Sequence, residues 1–444
     1  MQTVIRFVQA RHAAWYRWRS QLLIILCMLG GAASAGAPPS VPGANNYRVL
    51  PLTPEPFRQS AEINASGQVA FIDTRNGAAR ARFYDGRRFI DLGSLGGTGL
   101  TVVAVNDRGQ AVFNVNRRAG TRAVFYDGHR LLDIGTLGGS DARAAGLNAL
   151  GQVAGISGSH VFRWSQPTGM ADLGIPGLGN AVVLGINARG DIFGLANYAV
   201  ASSSVSHGFF WRAGTGFVDV SIAGETTYPE AMNDAGTIVG YGGPGSYEVL
   251  GFRWTKSGGT ETMGTMPHEF TWATNINRAG QVVGATPFFA QTEPHPFLWT
   301  PGRGLLDLGT GTAERGAGTK VNAHGIVIGY LMTFVTLAHG FIWTPETGLI
   351  EIGAESPRLL SSASDVNNVG QVVGAIGGRA FRWTRSQGIV DLNTLVPGGT
   401  GEPLLASANA ISDSGAILAR GASGLYLLVP CEGGRHQQGD LPPQ

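Results

Sequence analysis

The feature that most constrains this chain is a turn that recurs nine times. An Asn-x-x-Gly unit flanked by alternating apolar residues occurs at Asn64-Ala-Ser-Gly67, Asn106-Asp-Arg-Gly109, Asn148-Ala-Leu-Gly151 and Asn187-Ala-Arg-Gly190. It continues at Asn233-Asp-Ala-Gly236, Asn277-Arg-Ala-Gly280, Asn322-Ala-His-Gly325 and Asn367-Asn-Val-Gly370, and a ninth copy, Ser412-Asp-Ser-Gly415, has Ser for Asn. Successive copies lie 42, 42, 39, 46, 44, 45, 45 and 45 residues apart. A period of this length marks a fold assembled from one small unit. The local chemistry is that of a hairpin. Asn or Ser opens a type I turn by bonding backbone two residues on, and Gly closes it in the left-handed conformation. That role accounts for the Asn residues without a ligand.

Two further pieces recur in fixed order. An aromatic strand is clearest at His160-Val-Phe-Arg-Trp164, His207-Gly-Phe-Phe-Trp211, Phe252-Arg-Trp254, His295-Pro-Phe-Leu-Trp299, His339-Gly-Phe-Ile-Trp343 and Phe381-Arg-Trp383. Alternate strand residues share a face, so His, Phe and Trp point together into the packing between neighbouring sheets. The histidines sit in separate units, whereas a zinc site needs its ligands about 2 Å from one ion. No metal site or cofactor is expected. The third piece is Asp91-Leu-Gly93, Asp133-Ile-Gly135, Asp172-Leu-Gly174, Asp307-Leu-Gly309, Glu351-Ile-Gly353 and Asp391-Leu-Asn393. One carboxylate per unit at a strand end reads as a backbone acceptor, because glycosidic chemistry needs a converging pair.

Together the His-x-Phe-x-Trp strand, the Ile-Asn-x-x-Gly-x-Val-x-Gly hairpin and the Asp133–Gly139 segment (Asp-Ile-Gly-Thr-Leu-Gly-Gly) resemble the extracellular HAF-repeat family over roughly residues 60–430. The first two units depart from it, with Tyr84-Asp-Gly and Tyr126-Asp-Gly in place of the Trp pattern, as does the ninth. The resemblance implies an exported repeat protein without an assigned activity.

Each unit supplies four short strands, the rhythm of a propeller blade. The ninth unit stops after a third strand at Leu425 to Val429, while Tyr47 to Leu52 is an orphan strand ahead of the first hairpin. The expected fold is therefore all-β, a closed β-propeller of about nine four-stranded blades, eight being the other count, with the N-terminal strand completing the last blade. Closure would remove exposed edges, which an open solenoid would have to cap. Gly325 to Trp343 is apolar enough for a membrane span, yet it is in register with the repeat and reads as two buried strands.

Residues 1–35 read as a secretory signal peptide. Arg6, Arg11, Arg17 and Arg19 precede the apolar run Leu22 to Leu29, and Ala33-Ser34-Ala35 offers a cleavage site after Ala35. Residues 36–46 are a linker, 47–430 the propeller, and 431–444 a disordered tail. Export to periplasm or medium follows, with no membrane span in the mature chain. Of 32 basic residues only Lys256 and Lys320 are lysines, which reads as compositional bias. Loss of the leader leaves a slightly acidic chain, which excludes a nucleic-acid partner. Cys431 alone remains among cysteines, so no internal disulfide is expected.

The Asn turns and the turns after the aromatic strand share one rim of the ring; the second-to-third-strand and blade-to-blade connections share the other. Length variation falls on this second rim, at 197–206, 241–249, 287–294, 331–337, 226–230 and 266–273. Scaffold on one rim and variable loops on the other is a common arrangement for recognition. The candidate binding residues there are Tyr198, Tyr228, Tyr247, His268, Phe270, Trp272, Phe288, Phe289 and Phe334, aromatic groups suited to a carbohydrate or protein ligand. Some would simply extend the strands. The expected role is a monomeric, non-catalytic binding or surface-scaffold protein. The rival is a carbohydrate-active lyase or hydrolase using Glu225, Glu230, Glu261, Glu269 or Glu293, near His268 and His295, although no spacing among them is diagnostic.

Overall fold

The computed structural model describes residues 47–54, 61–74, 77–200, 203–245, 248–263, 271–286, 293–333, 338–354, 359–396 and 404–431. The expected leader, linker and nearly all of the tail lie outside these. Nine four-stranded antiparallel sheets follow one another. Blade 1 spans 61–93, blade 2 99–133, blade 3 143–174, blade 4 182–220 and blade 5 227–263. Blade 6 spans 272–307, blade 7 315–351 and blade 8 361–391. Blade 9 takes three strands from 407–430 and its fourth from the N-terminal strand Tyr47–Thr53, which pairs antiparallel with Gly424–Pro430. The ring is a nine-bladed propeller closed by its own N-terminal strand. One 3-10 turn, Leu392–Thr394, is the sole helical element among the described residues, and no helix there is long and apolar enough to cross a membrane.

Closure is visible in the core. Nine apolar clusters fill the nine junctions between neighbouring sheets. The one joining blade 9 to blade 1 unites Leu52, Leu425 and Leu427 with Val69, Phe71 and Tyr84. The first strand of each blade lies innermost, and at most junctions it touches the first strand of the neighbouring blade. Within a blade, Val153 faces Trp164 and Gly155 faces Phe162 across the second and third strands. In blades 3 to 8 glycine is required at this place. In blade 6 a Cβ on Gly284 would stand 1.9 Å from the Trp272 carbonyl oxygen.

Blades 1 and 2 solve the same packing in reverse. Their second strands carry Phe71 and Phe113 where Gly155 stands in blade 3, and the facing residues are Arg82 and Val124 rather than Phe. One aromatic ring per blade fills the space in either case, and it comes from the opposite strand. The Tyr residues at the Trp place direct their hydroxyls back into their own turns, Tyr84 to the Gly86 carbonyl and Tyr126 to the Gly128 carbonyl, each at 2.8 Å. The first two units depart from the repeat motif and keep its volume.

The Asn turns form as expected, with one addition. Asn148 Oδ1 accepts from the Leu150 and Gln152 amides at 3.0 Å each, and Gly151 closes the turn at φ +79°. The same side chain also reaches the next blade, Nδ2 donating to the Asn187 carbonyl at 3.0 Å. Every Asn of the series repeats this, from Asn64 to the Asn106 carbonyl (2.8 Å) through to Asn367 and the Ser412 carbonyl (2.9 Å). The turn residue is also a rivet between blades.

Candidate functional site

The innermost strands set the chemistry of the axis. Most carry a bulge a few residues ahead of the Asn turn, which turns the strand and re-aims its side chains. Two residues before the turn, blades 2 to 5 and 9 have the small residues Ala104, Gly146, Gly185, Ala231 and Ala410. Blades 6, 7, 8 and 1 instead have Asn275, Lys320, Asp365 and Glu62. Folding gathers these polar groups into one sector of the ring.

Glu62, Lys320 and Asp365 line an axial recess of about 800 Å³ that opens on the Asn-turn rim. Its walls come from blades 6 to 9 and blade 1: Glu62, Arg278, Lys320, Ser364, Asp365, Asn368, Asn409, Asp413 and Arg420 among others, with the turn residues Asn64, Asn277, Asn322 and Asn367. Asp365 is the anchor. Its Oδ1 accepts from the Val366 amide (2.8 Å) and pairs with Lys320 of blade 7, and its Oδ2 accepts from the Ile411 amide of blade 9 at 2.9 Å. Asp413 is held by the Asn368 amide and side chain at 2.8 and 3.0 Å. Glu62 differs: among the described residues its carboxylate makes no ion pair. It reaches water through the mouth, yet burial in the recess, followed by the Asp365 carboxylate, raises its pKa above the usual carboxylate range, and Lys320 offsets part of this.

Of the aromatic candidates on the other rim, Tyr198, Tyr228 and Trp272 are described. All three are strand residues rather than loop residues. The strands Ile192–Val200 and Ser203–Arg212 pair through Tyr198 and Val205, so most of the expected loop at 197–206 continues the ladder. Tyr198 stacks on His207 at 5.1 Å, and burial, with Asp219 nearby, pushes its phenol up to about 12. Tyr228 packs on Tyr241, its cross-strand neighbour, at 5.4 Å, and Trp272 opens the inner strand of blade 6. Tyr247, His268, Phe270, Phe288, Phe289 and Phe334 lie outside the described residues.

The periodic charges are framework. In seven blades the His or Arg four residues before the Trp or Tyr of the third strand meets the carboxylate of the outer strand. Arg80 pairs with Asp91, Arg122 with Asp133, His160 with Asp172 and His207 with Asp219; His295 pairs with Asp307, His339 with Glu351 and Arg379 with Asp391. The same carboxylates cap the following turn, as Asp172 does for the Gly174 amide at 2.8 Å. Hydrogen bonds from His160 and from the Gly174 amide hold Asp172 below the usual carboxylate range. The candidate acids do not converge: Glu261 lies 3.4 Å from Arg253 and Glu293 3.5 Å from Arg315, while Glu269 falls outside the described residues. Among the described residues no three His, Cys, Asp or Glu side chains stand together as a metal site.

The axial cluster escaped the sequence reading because each of its members is an ordinary strand residue within its own unit. The available signal was the aligned position two before the Asn turn, small in five units and polar in four, together with the placement of one of the two lysines there.

No family model matches the chain, and no curated protein matches it. Among solved structures it is similar to virginiamycin B lyase from Staphylococcus aureus, at 10% identity over 65% of this chain and 95% of that one, TM-score 0.36. It is similar to a prolyl endopeptidase at 11% identity over 77% of this chain and 55% of the enzyme, TM-score 0.41. A mutant Aleuria aurantia lectin in complex with Fucα1-6GlcNAc matches at 11% identity over 69% of this chain and 94% of that one, TM-score 0.27. The chain spans about half the length of the peptidase. Likenesses this distant carry neither an activity nor a ligand over to this protein.

Proposed function

We propose that this chain is an exported, non-catalytic binding or surface-scaffold protein of the extracellular HAF-repeat kind, taking a carbohydrate or protein ligand on its ring. The observation that carries this reading is where the reactive side chains go. The recurring histidines are tied to the carboxylates of their own blades, one pair in each of four blades around the outside of the ring. General acid–base chemistry needs such groups within reach of one reacting centre. A ring that spends them one blade at a time is a rigid frame for recognition. Export rests on the leader-like segment at residues 1–35, with its arginine-rich start, short apolar run and Ala33-Ser34-Ala35.

The test is a glycan array run beside a panel of polysaccharide substrates with the purified protein. Retention of a ligand without product is the expected outcome. Release of reducing ends that Glu293→Ala abolishes would replace this reading with a carbohydrate-active enzyme.

A further inference from the structure

We propose that the axial recess is a binding site for a short zwitterionic peptide, its ammonium end directed to Glu62 and its carboxylate end to Arg278. The inference rests on the reading of the ring as a binding protein and names a ligand class for one place on it.

Charge balance is the first argument. Three acids, Glu62, Asp365 and Asp413, face three bases, Arg278, Lys320 and Arg420, so the recess is neutral overall. Entry of a net charge would leave that charge uncompensated in a partly desolvated place, whereas a zwitterion adds none. Internal pairing decides which charges remain for a ligand. Lys320 and Asp365 satisfy each other, and Asp413 is held by Asn368. Glu62, Arg278 and Arg420 have no ion pair among the described residues; Arg420 belongs to blade 9, beside the blade that carries Glu62, so Arg278 is the base across the recess from it.

Placement is the second argument. Glu62 belongs to blade 1 and Arg278 to blade 6; the short way round the ring between them runs through blades 9, 8 and 7, so the two stand on facing walls. A ligand that meets both must carry opposite charges at separated ends. An extended peptide gains about 3.3–3.6 Å per residue, so a tripeptide places its ends roughly 10 Å apart. The volume of about 800 Å³ falls within the usual span for small-ligand sites.

The wall between the two charges separates peptide from sugar. Among the described residues no aromatic ring lines the recess, so the apolar face of a sugar has nothing there to stack on. Ser364, Asn368 and Asn409 offer hydroxyl and amide groups instead, which match peptide N–H and C=O groups.

Isothermal titration with triglycine, N-acetyl-triglycine and triglycine amide tests this on the purified protein, with Glu62→Gln, Arg278→Gln and, as a control away from the recess, Arg385→Gln. Triglycine should bind saturably to the native protein and to Arg385→Gln. Acetylation or Glu62→Gln should each weaken it at least tenfold, and the two together should cost little more than either alone. Amidation and Arg278→Gln should behave as a second such pair. Unchanged melting of the variants shows that the ring remains closed. Absence of triglycine binding, or equal binding of the capped peptides, overturns the inference. Ligand retention on the array with no peptide binding sinks this inference alone, whereas product release in the polysaccharide panel sinks the reading beneath it.

Discussion

Eight junctions of the ring and the ninth are held differently. From blade 1 to blade 9 each turn Asn donates Nδ2 to the carbonyl of its counterpart in the following blade, at 2.8–3.2 Å. A second contact backs several of these, as where the Ala65 amide donates to Asp107 Oδ1 (2.9 Å) and the Ala188 amide to Asp234 Oδ1 (3.0 Å). At the seam Ser412 has no amide to donate. Its hydroxyl accepts from the Ala416 amide at 2.9 Å, and blade 9 meets blade 1 through the Ser414 amide and the Ala65 carbonyl, also 2.9 Å. The rest of the closure comes from the N-terminal strand. Arg48 donates to the Tyr84 hydroxyl of blade 1 (3.1 Å) and Leu52 is fully buried against blade 1, while Tyr47 receives a hydrogen bond from Arg382 (3.0 Å) and ties the same strand to blade 8. The eight junctions that follow a blade built from one stretch of chain are secured by a side-chain rivet; blade 9, whose fourth strand comes from the other end of the chain, meets blade 1 through that strand.

The largest effect should therefore come from the seam. A chain that lacks residues 1–53 loses the buried Tyr47 and Leu52, each a large apolar side chain worth roughly 2–5 kcal/mol, and exposes the edge of Gly424–Pro430. Its melting by circular dichroism should fall by on the order of 10 °C or more, with association visible in size-exclusion chromatography. A melting point equal to that of the full chain would mean that the ring does not depend on its closing strand.

Next comes a rivet. Asn148→Ala removes a buried side chain that serves its own turn and the next blade, and should cost about 2 kcal/mol in urea unfolding. The same substitution at Ser412 should cost less, since Ser412 makes no bond to blade 1. Equal losses at the two positions would erase the distinction between junction and seam.

The smallest effect sharpens the comparison by addition. Ser412→Asn gives the seam the residue the other eight turns possess, and a new bond to the Asn64 carbonyl should add about 1 kcal/mol. No gain in the denaturant midpoint would show that the N-terminal strand sets a spacing at this junction that the amide does not bridge.

Much of this was legible in the chain. Asn-x-x-Gly at a steady period, an aromatic strand and a terminal strand without a partner in its own unit were sufficient for nine blades and a self-closing ring. Gly325 to Trp343 shows why register outranks hydropathy, since its described residues form the strands Val327–Met332 and His339–Thr344. The site was less legible. The segment around Tyr198 is longer than its counterparts and reads in the sequence as a recognition loop, but the extra residues pair as strand and the ring packs on His207. Length in a hairpin does not distinguish a loop from a longer ladder.

The sequence by itself determined what each unit does alone: where the chain turns, which residues alternate inward, and which aromatic groups fill a blade. These follow from backbone preferences and burial, both of which act over a few neighbouring residues. Only the tertiary structure decided what the units do together. It turned Asn148 from a turn former into a link between blades, let Phe71 and Phe113 replace a ring from the opposite strand, and brought Glu62, Lys320 and Asp365 from distant repeats to one axis. Proximity of that kind depends on how nine sheets are arranged around a centre, and which side chains then meet at the axis leaves no mark within any one repeat.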